Sequence, residues 1–358
     1  TFKVGDVGAP TNQGFLVGNG GSSGISNAAT LDLSGLGTFY ANLGSGTLRV
    51  GDAANASGGG SSANGSTLIL AADTTIIAAT ITSDNPTSNA IQRIKLGNGT
   101  NVLNANTITI GGAANRASGT LDFNASTGTV QVRALDGVGR TAMNVQNGNA
   151  GTGANLLGTV DFTGHSANLL LSTLAVGGRS AATTAAGTGI FSFDSGTLDA
   201  TTVNIAARTG TTATSGSVTG TVNLGGGTST IGTVTMSTNN VALTASNSTG
   251  DAISTLNISG GTVSINALTM GVNTVAAAFA SGSNTDATLN ISGGATTVNT
   301  TFTMGAQNSA LDAGVTVNSA LSALNISAGS LTLAGSTNLT MGATTLDAHN
   351  AATANINI

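Results

Sequence analysis

The sequence contains no cysteine, no tryptophan and no glutamate, and it has one tyrosine and two prolines among 358 residues. The lack of cysteine excludes disulfides and thiol chemistry, although it leaves the cellular compartment open. With so few aromatic residues, the chain has little from which to build a platform for stacking sugars. No run approaches the 18 apolar residues of a membrane-spanning helix, so no such span is expected.

Charge is scarce, and it is unevenly placed. Only 6% of residues are charged, and all nine Lys and Arg lie at or before Arg208. After Arg208 the chain has no cation and four acidic residues: Asp251, Asp286, Asp312 and Asp347. A nucleic-acid surface needs clustered cations that neutralise phosphates, so we expect no nucleic-acid partner.

Glycine, threonine, serine, asparagine and small aliphatic residues take the place of the missing types. β-Branched residues favour strands, while glycine and asparagine permit tight turns. One eight-residue word, Ser-Thr-Leu-Asn-Ile-Ser-Gly-Gly at 254–261, returns almost unchanged at 287–294. Repetition with a period of about 33 residues indicates a solenoid or an array.

Three short words in each repeat alternate apolar and polar residues, the pattern of a strand with one buried face. We name them strands A, B and C in chain order. Strand B is represented by Val263-Ser-Ile and strand C by Leu268-Thr-Met. The first apolar residue of strand A recurs at intervals of 26 to 39 residues, at Leu31, Leu68, Ile94, Leu121, Val160, Phe191, Val222, Leu256, Leu289, Leu324 and Ile356.

The spacing of these words predicts the architecture. Strands A and C are mostly 12 to 15 residues apart, whereas strand C and the next strand A are 13 to 25 apart. Two tight corners and one variable loop are typical of a parallel β-helix, and an antiparallel sandwich would not repeat the same words in the same order. We predict an all-β fold, a single right-handed parallel β-helix (β-solenoid) of about ten to eleven coils of ~33 residues with three short strands per coil. Residues 1–30 are expected to form incomplete N-terminal coils, and residues 31–358 one continuous domain.

Stacking of equivalent residues predicts two columns. The inward residue of strand C is expected to form a methionine column that fills the core, with a sulfur-based metal site as the alternative, at Met236, Met270, Met304 and Met341. The middle residue of strand A points outward, and its asparagines indicate either an amide ladder or simple tolerance of asparagine on an exposed strand, at Asn223, Asn257, Asn290, Asn325 and Asn357.

Two sets of charged residues are candidates for chemistry. Four arginines near the ends of strands C could bind an anionic sugar or pair with neighbouring aspartates (Asp122, Asp161 and Asp194): Arg116, Arg140, Arg179 and Arg208. Asp122 and Asp161, one coil apart, are the nearest candidates for the acid–base work of a polysaccharide lyase or hydrolase.

The remaining polar candidates give weaker signals. His165 and His349 are isolated in the sequence and are expected to be loop or surface residues. Thr-x-Thr pairs begin at Thr80, Thr107 and Thr233. Flat threonine arrays on β-solenoids can order water and bind ice, but we expect these pairs to be scattered along the solenoid.

The words at Thr255 to Val263 and Leu268 to Gly271 resemble the autotransporter-associated β-strand repeats, which occur in large secreted and surface proteins of Gram-negative and related bacteria. The likeness covers roughly residues 31 to 358 and is strongest after residue 220. The resemblance implies a secreted, passenger-like stalk, adhesin or fibre at the bacterial cell surface.

The ends of the sequence suggest self-association. The opening Thr-Phe-Lys-Val-Gly-Asp nearly copies the strand C word at 47–52, so we expect a start on strand C, and the last residues form a strand A. Open solenoid ends are templates for strand pairing. We expect copies to stack head to tail, the rival being a segment of a longer repeat protein, through Phe2, Val4, Ile356 and Ile358.

The functional hypothesis is a non-enzymatic extracellular structural protein, the subunit of a head-to-tail fibre or of a surface stalk, with no cofactor or metal. The alternative is a surface adhesin whose variable loops, such as residues 272–286, bind glycans or a cell surface. A polysaccharide lyase or hydrolase is the third reading.

Overall fold

A computed structural model describes residues 1–20, 26–51, 65–84, 90–112, 118–148, 156–179, 186–210, 216–241, 250–274, 284–307, 319–335, 337–344 and 351–358. Its strands are β1 (Phe2–Val4), β2 (Phe15–Val17), β3 (Asn19–Gly20), β4 (Ser26–Asn27), β5 (Thr30–Asp32), β6 (Thr38–Val50), β7 (Thr67–Ile69), β8 (Asp73–Ser83), β9 (Ile91–Leu96), β10 (Thr100–Ile110), β11 (Ser118–Phe123), β12 (Thr129–Arg133), β13 (Thr141–Gly148), β14 (Leu156–Asp161), β15 (Ser166–Arg179), β16 (Gly187–Phe193), β17 (Gly196–Gly210), β18 (Val218–Leu224), β19 (Thr228–Val241), β20 (Ala252–Ile258), β21 (Thr262–Asn273), β22 (Thr285–Gln307), β23 (Ser319–Leu333), β24 (Asn338–Thr344) and β25 (Ala351–Asn357).

Nearly all strands belong to one parallel sheet that winds into a solenoid. Twenty-three strands form this sheet, in which each strand pairs with its equivalent one turn later, and the described residues contain no helix. Only β3 and β4 stand apart, as a short antiparallel pair. The predicted all-β parallel solenoid is confirmed.

The strand A positions form one continuous ladder, which we call wall A. Leu31 pairs with Leu68, and every later predicted residue pairs in turn with the one before it, as far as Ile356. The coil count differs slightly from the prediction of ten to eleven coils of ~33 residues. About eight turns are near that length, at 31 to 39 residues. The two turns between Leu68 and Leu121 are shorter, at 26 and 27 residues, because their connections are shorter.

Strands B and C form two further ladders, wall B and wall C. In β15 the first residues pair with β12 on wall B, and the later residues pair with β13 on wall C. The corner between walls B and C is so tight that one strand continues through it, and β22 runs along all three walls. The long connections therefore fall between wall C and the next wall A, as the spacing predicted.

The start of the chain corrects one prediction. Phe2–Val4 pairs with Phe39–Ala41 on wall B, and it is Phe15–Val17 that pairs with Leu48–Val50 on wall C. The expectation that Phe2–Val4 is a strand C was therefore wrong. The repeated word has an apolar–polar alternation that suits either wall, and the contact of the Phe2 and Phe39 rings, with centroids 5.5 Å apart, favours wall B.

The three walls enclose a continuous apolar core. In β18, Val218, Val222 and Leu224 are buried, whereas the alternate residues Thr219 and Thr221 are half-buried on the outer face. The same alternation holds along the walls because successive side chains of a strand point to opposite faces. Burial of each such side chain contributes roughly 1.5–3 kcal/mol, so the repeated words carry most of the stability.

Candidate functional site

One outward column on wall A consists of asparagine in successive turns. Asn257 Nδ2 donates to Asn223 Oδ1 at 2.8 Å, and Asn290 Nδ2 donates to Asn257 Oδ1 at 2.9 Å. Asn325 donates to Asn290 at 2.8 Å, and Asn357 donates to Asn325 at 2.6 Å. The structure brings the five asparagines together in an amide ladder, in which each bond adds on the order of 1 kcal/mol.

The four methionines lie in one inward column of wall C. Met236 pairs with Met270, Met270 with Met304, and Met304 with Met341. The first three are fully buried, but Met341 is 43% exposed because it lies in the last described turn of this wall. The column fills the core over three turns and then reaches solvent.

Core positions are open to solvent in the turn formed by the end of β23 with β24 and β25. Their side chains are 37 to 43% exposed, and we call them the open end turn: Leu333, Leu339, Met341 and Ile356. Their register partners one turn earlier are at most 2% exposed: Val298, Phe302, Met304 and Leu324. Among the described residues, the core side chains are therefore more exposed in this turn than one turn earlier.

The opposite end of the solenoid is more closed. Phe2 is 37% exposed and Val4 is half-buried, whereas Val17 on wall C is only 4% exposed. Phe2 and Ile356, two of the predicted interface residues, therefore lie at opposite ends of the solenoid. Ile358, a third, lies beyond the last strand and is 97% exposed.

The structure brings together only two of the four predicted arginines. Arg179 and Arg208 are register neighbours and are 2% and 1% exposed. Burial lowers the pKa of each guanidinium to about 10. Arg208 donates to Asn239 Oδ1 at 3.2 Å and to the carbonyl of Gly250, so it holds the chain where it enters the next wall A.

The other two arginines do not join this pair. Arg140 donates to the Asp199 carboxylate at 2.9 Å on a different wall, and Arg116 lies outside the described residues. The described residues therefore do not form the predicted column of four arginines.

The two candidate catalytic carboxylates are register neighbours on the outer face of wall A. Asp122 forms an ion pair with Lys95 at 2.7 Å. Asp161 Oδ1 accepts from the Thr163 hydroxyl at 2.7 Å and from its backbone N–H at 3.0 Å. The Asp122 carboxylate thus joins two neighbouring turns of wall A. The Asp161 carboxylate stabilises the corner at the end of its own strand.

His165 bridges two turns at the corner between walls A and B. Its ring stacks on Phe123, with centroids 3.8 Å apart and planes inclined by 3°. Its ring nitrogens lie 2.9 Å from the Thr163 carbonyl and 2.8 Å from the Ala125 carbonyl. His165 therefore joins neighbouring turns at the surface. His349 lies outside the described part of the chain.

The threonine pairs are less scattered than predicted. Thr80 pairs in register with Thr107, and Thr82 with Thr109, so the expectation of scatter was wrong for these two turns. The pair at Thr233 follows four turns later on the same wall. Thr82 and Thr109 are only 2% and 8% exposed. The stacked pairs therefore have one row of threonine side chains accessible to solvent rather than two.

A corner that follows wall C was missed by the sequence reasoning. The residue after the inward wall C column has a positive φ in turn after turn, between 49° and 70°, at Gly111, Gln146, Gly177, Ala206, Ser237, Gly271, Gly305 and Gly342. The backbone turns left-handed there, a conformation that favours glycine. The glycine that follows Met270, Met304 and Met341 was the available signal.

Wall A packs closely on this corner. It carries a column of glycine over four turns: Gly119, Gly158, Gly189 and Gly220. A Cβ atom on Gly220 would lie 2.3 Å from the Val176 carbonyl oxygen and 2.7 Å from the Ala206 nitrogen. These glycines allow backbone to approach backbone, which is a reason for their place two residues before the first apolar residue of strand A.

A buried ion pair occupies the same corner near the start of the chain. The Asp84 side chain is fully buried and accepts from Arg49, whose side chain is 25% exposed. Burial raises the pKa of the Asp84 carboxyl above its ordinary value of 3.8, despite the opposing effect of Arg49. Loss of solvation therefore outweighs the attraction of the neighbouring charge.

Asp84→Asn is expected to change how stability depends on pH. Because the folded-state pKa is raised, the native state binds the proton more tightly, so this contribution to stability is fully present below pH 3.8 and is lost as pH rises through the folded-state pKa. The advantage of wild type over Asp84→Asn should therefore shrink from pH 3 to pH 7 in urea unfolding. Asp136→Asn is the control with the opposite sign, because backbone N–H groups lower the pKa of the exposed Asp136. Parallel pH profiles for wild type and Asp84→Asn would contradict the expectation.

Shallow depressions occur on the described surface. One of about 310 Å³ lies beside the first turn and is lined by Gly14, Phe15, Leu16, Thr47 and Arg49. Within the described ranges, no three acidic or histidine side chains converge on a point where they could hold a metal ion. The same ranges contain no helix of the length and hydrophobicity needed to cross a bilayer.

Comparison with known proteins identifies no relative. No family model, no curated protein and no solved structure matches the chain.

Proposed function

We propose that the chain is a non-enzymatic extracellular structural protein, the subunit of a head-to-tail fibre or of a surface stalk. The observation that carries this proposal is the parallel pairing of successive turns on three walls around a continuous apolar core, which runs in register as far as the open end turn. Another coil laid on this turn in register would bury these residues and extend all three ladders. An apolar sheet end of this kind is a template for further strands.

A second copy of the chain matches the register that such a coil would need. On wall C the inward columns that end at Leu339 and Met341 begin at Phe15 and Val17. Continuation of the same register would place Phe15 of a second copy on Leu339, and its Val17 on Met341. Apolar residues would meet apolar residues. A heterologous contact of this kind need not close, so it can grow into a fibre.

The construction of the rod suits a mechanical role. Backbone hydrogen bonds join neighbouring turns on three walls, and the apolar core is continuous inside them. The amide ladder adds side-chain hydrogen bonds along wall A. Such a solenoid is a quasi-one-dimensional rod in which each turn is held by its two neighbours.

The extracellular location rests on a separate argument. The strand words resemble the autotransporter-associated β-strand repeats of secreted and surface proteins, and a long stalk or fibre is the role which that resemblance implies. The scarcity of charge and the absence of cysteine are compatible with this location.

Electron microscopy and analytical ultracentrifugation over a wide range of concentration test the proposal. We expect rods that lengthen with concentration in steps of one chain, roughly 50 Å at ~4.8 Å per turn. Single rods of one chain length at every concentration would overturn the head-to-tail fibre. Binding of the monomeric rod to a glycan array, without self-association, would favour a surface adhesin instead.

A further inference from the structure

The outer face of wall C carries an array of threonine that the proposed function does not use. Two outward residues of each wall C segment form two columns, and both columns are partly or fully open to solvent in β17, β19, β21, β22 and β24. Seven of these ten positions are threonine, and none is charged or aromatic. We call them the wall C array: Thr202, Asn204, Thr233, Thr235, Ala267, Thr269, Thr301, Thr303, Asn338 and Thr340.

The array is regular in two directions. Successive turns stack at about 4.8 Å along the axis, and the two columns are two residues apart on each strand, or roughly 6.6 Å. Thr233 pairs in register with Thr202 in the turn before it and with Ala267 in the turn after it. The first column also continues through five earlier turns, at Thr173, Ala142, Thr107, Thr80 and Thr47. Its rows therefore repeat at one spacing over most of the solenoid.

The hydroxyl groups of the array are available to a partner outside the chain. Thr300, at the corner beside the array, donates its hydroxyl to the Asn266 carbonyl at 2.7 Å, and Thr197 on wall B donates to Asn168 Oδ1 at 3.1 Å. Within the described ranges, by contrast, no protein atom forms a hydrogen bond with the hydroxyls of Thr202, Thr233, Thr235, Thr269, Thr301 and Thr303.

The composition of the array selects among partners. A protein partner is usually anchored by aromatic residues, methionine or arginine, and the array has none of them. A nucleic acid would need cations, and a stacked sugar ring would need an aromatic platform. Threonine instead offers a hydroxyl that bonds to water and a methyl group around which water packs. Water held on these two columns would repeat at about 4.8 Å in one direction and roughly 6.6 Å in the other, which is close to the spacing of oxygen rows on a face of hexagonal ice.

We propose that the wall C array binds ice, through water molecules that its threonines hold at the spacing of the ice lattice. The proposal goes beyond the structural role and does not depend on self-association, because a single chain presents the array. Backbone hydrogen bonds between turns, and buried side chains such as Val234 and Met236 behind the array, hold its backbone in place. A face that is already ordered loses little conformational entropy on binding, so many weak contacts add up.

Thr235→Tyr tests the proposal. Tyrosine suits a strand, and its ring would stand above the array between Asn204 and Thr269, where it would keep the ice lattice away from the neighbouring rows. We expect wild type to be concentrated in ice that grows slowly from a dilute solution, and to slow the recrystallisation of polycrystalline ice. Thr235→Tyr should lose both effects. Circular dichroism verifies that the variant keeps its sheet.

Thr230→Tyr is the matched control. Thr230 lies on the same strand, β19, but on the outer face of wall B, where it is exposed and pairs with Asp199 and Ser264. Its replacement should leave capture by ice unchanged. Exclusion of wild type from the growing ice, or equal losses in the two folded variants, would overturn the proposal. Retention of wild type on insoluble cellulose or chitin together with exclusion from ice would also overturn it, and would assign the array to a polysaccharide.

Discussion

Met341→Asp is expected to abolish end-to-end association while the solenoid stays folded. Met341 is 43% exposed in the open end turn, so a carboxylate there remains solvated in the single chain. A second coil would enclose that carboxylate among apolar residues, as Met304 is enclosed one turn earlier. Burial of an unpaired charge costs several kcal/mol, which corresponds to association weaker by more than about 100-fold. Sedimentation velocity measures the loss, and circular dichroism verifies the fold.

Thr340→Asp is the matched control for this substitution. Thr340 neighbours Met341 on the same strand, but its side chain points to the outer face of wall C and is exposed. The same charge at this position should weaken association only slightly, because it stays in water when a second coil docks. Equal losses for the two variants would show that the general negative charge of this end matters, and not the apolar contact.

Gly220→Ala is expected to destabilise the central turns by about 3 kcal/mol, the upper part of the usual range for overpacked sites. The added Cβ would lie 2.3 Å from the Val176 carbonyl oxygen and 2.7 Å from the Ala206 nitrogen. Both atoms belong to the backbone, so no side chain can rotate away to make room. Wall A would have to move off the corner that follows wall C. Hydrogen exchange measures this effect turn by turn, because each turn of a solenoid depends mainly on its neighbours.

Gly35→Ala provides the comparison. Gly35 has no atom within 4 Å of the position that its Cβ would take. The change should be nearly neutral, and slightly stabilising through reduced freedom of the unfolded chain. The exchange protection of β16, β17 and β18 should fall in Gly220→Ala and not in Gly35→Ala. Similar protection in the two variants would mean that wall A yields easily at the close approach.

The short repeated segments predicted the three walls well, because the alternation of apolar and polar residues is a property of each strand by itself. Leu256 and Leu289 occupy equivalent positions since each begins a word that can bury only one face. The amide ladder was foreseeable for the same reason, because asparagine at a fixed place in each word must stack once the words stack. The words at 2–4 and 48–50 show the limit of this reasoning, as nearly the same residues lie on two different walls.

The backbone conformation of the corners depends on contacts between turns, which no single repeated segment contains. The positive φ of Gln146, Ala206 and Ser237 occurs at residues that do not ordinarily favour it, in line with glycine in other turns. Stacking imposes the conformation, because a turn that bent differently would break the ladder above and below it. The burial of Arg179 and Arg208 likewise follows from the place where the corner puts them rather than from any pattern of charge.

The sequence by itself determined the strand-forming words, their period and the composition of the core, because these depend on residues near one another in the chain. The tertiary structure alone decided which wall Phe2–Val4 joins, where backbone meets backbone at Gly220, and which way the amide ladder points. Each of these is set by what lies one turn away, about 30 residues along the chain but only about 4.8 Å along the axis.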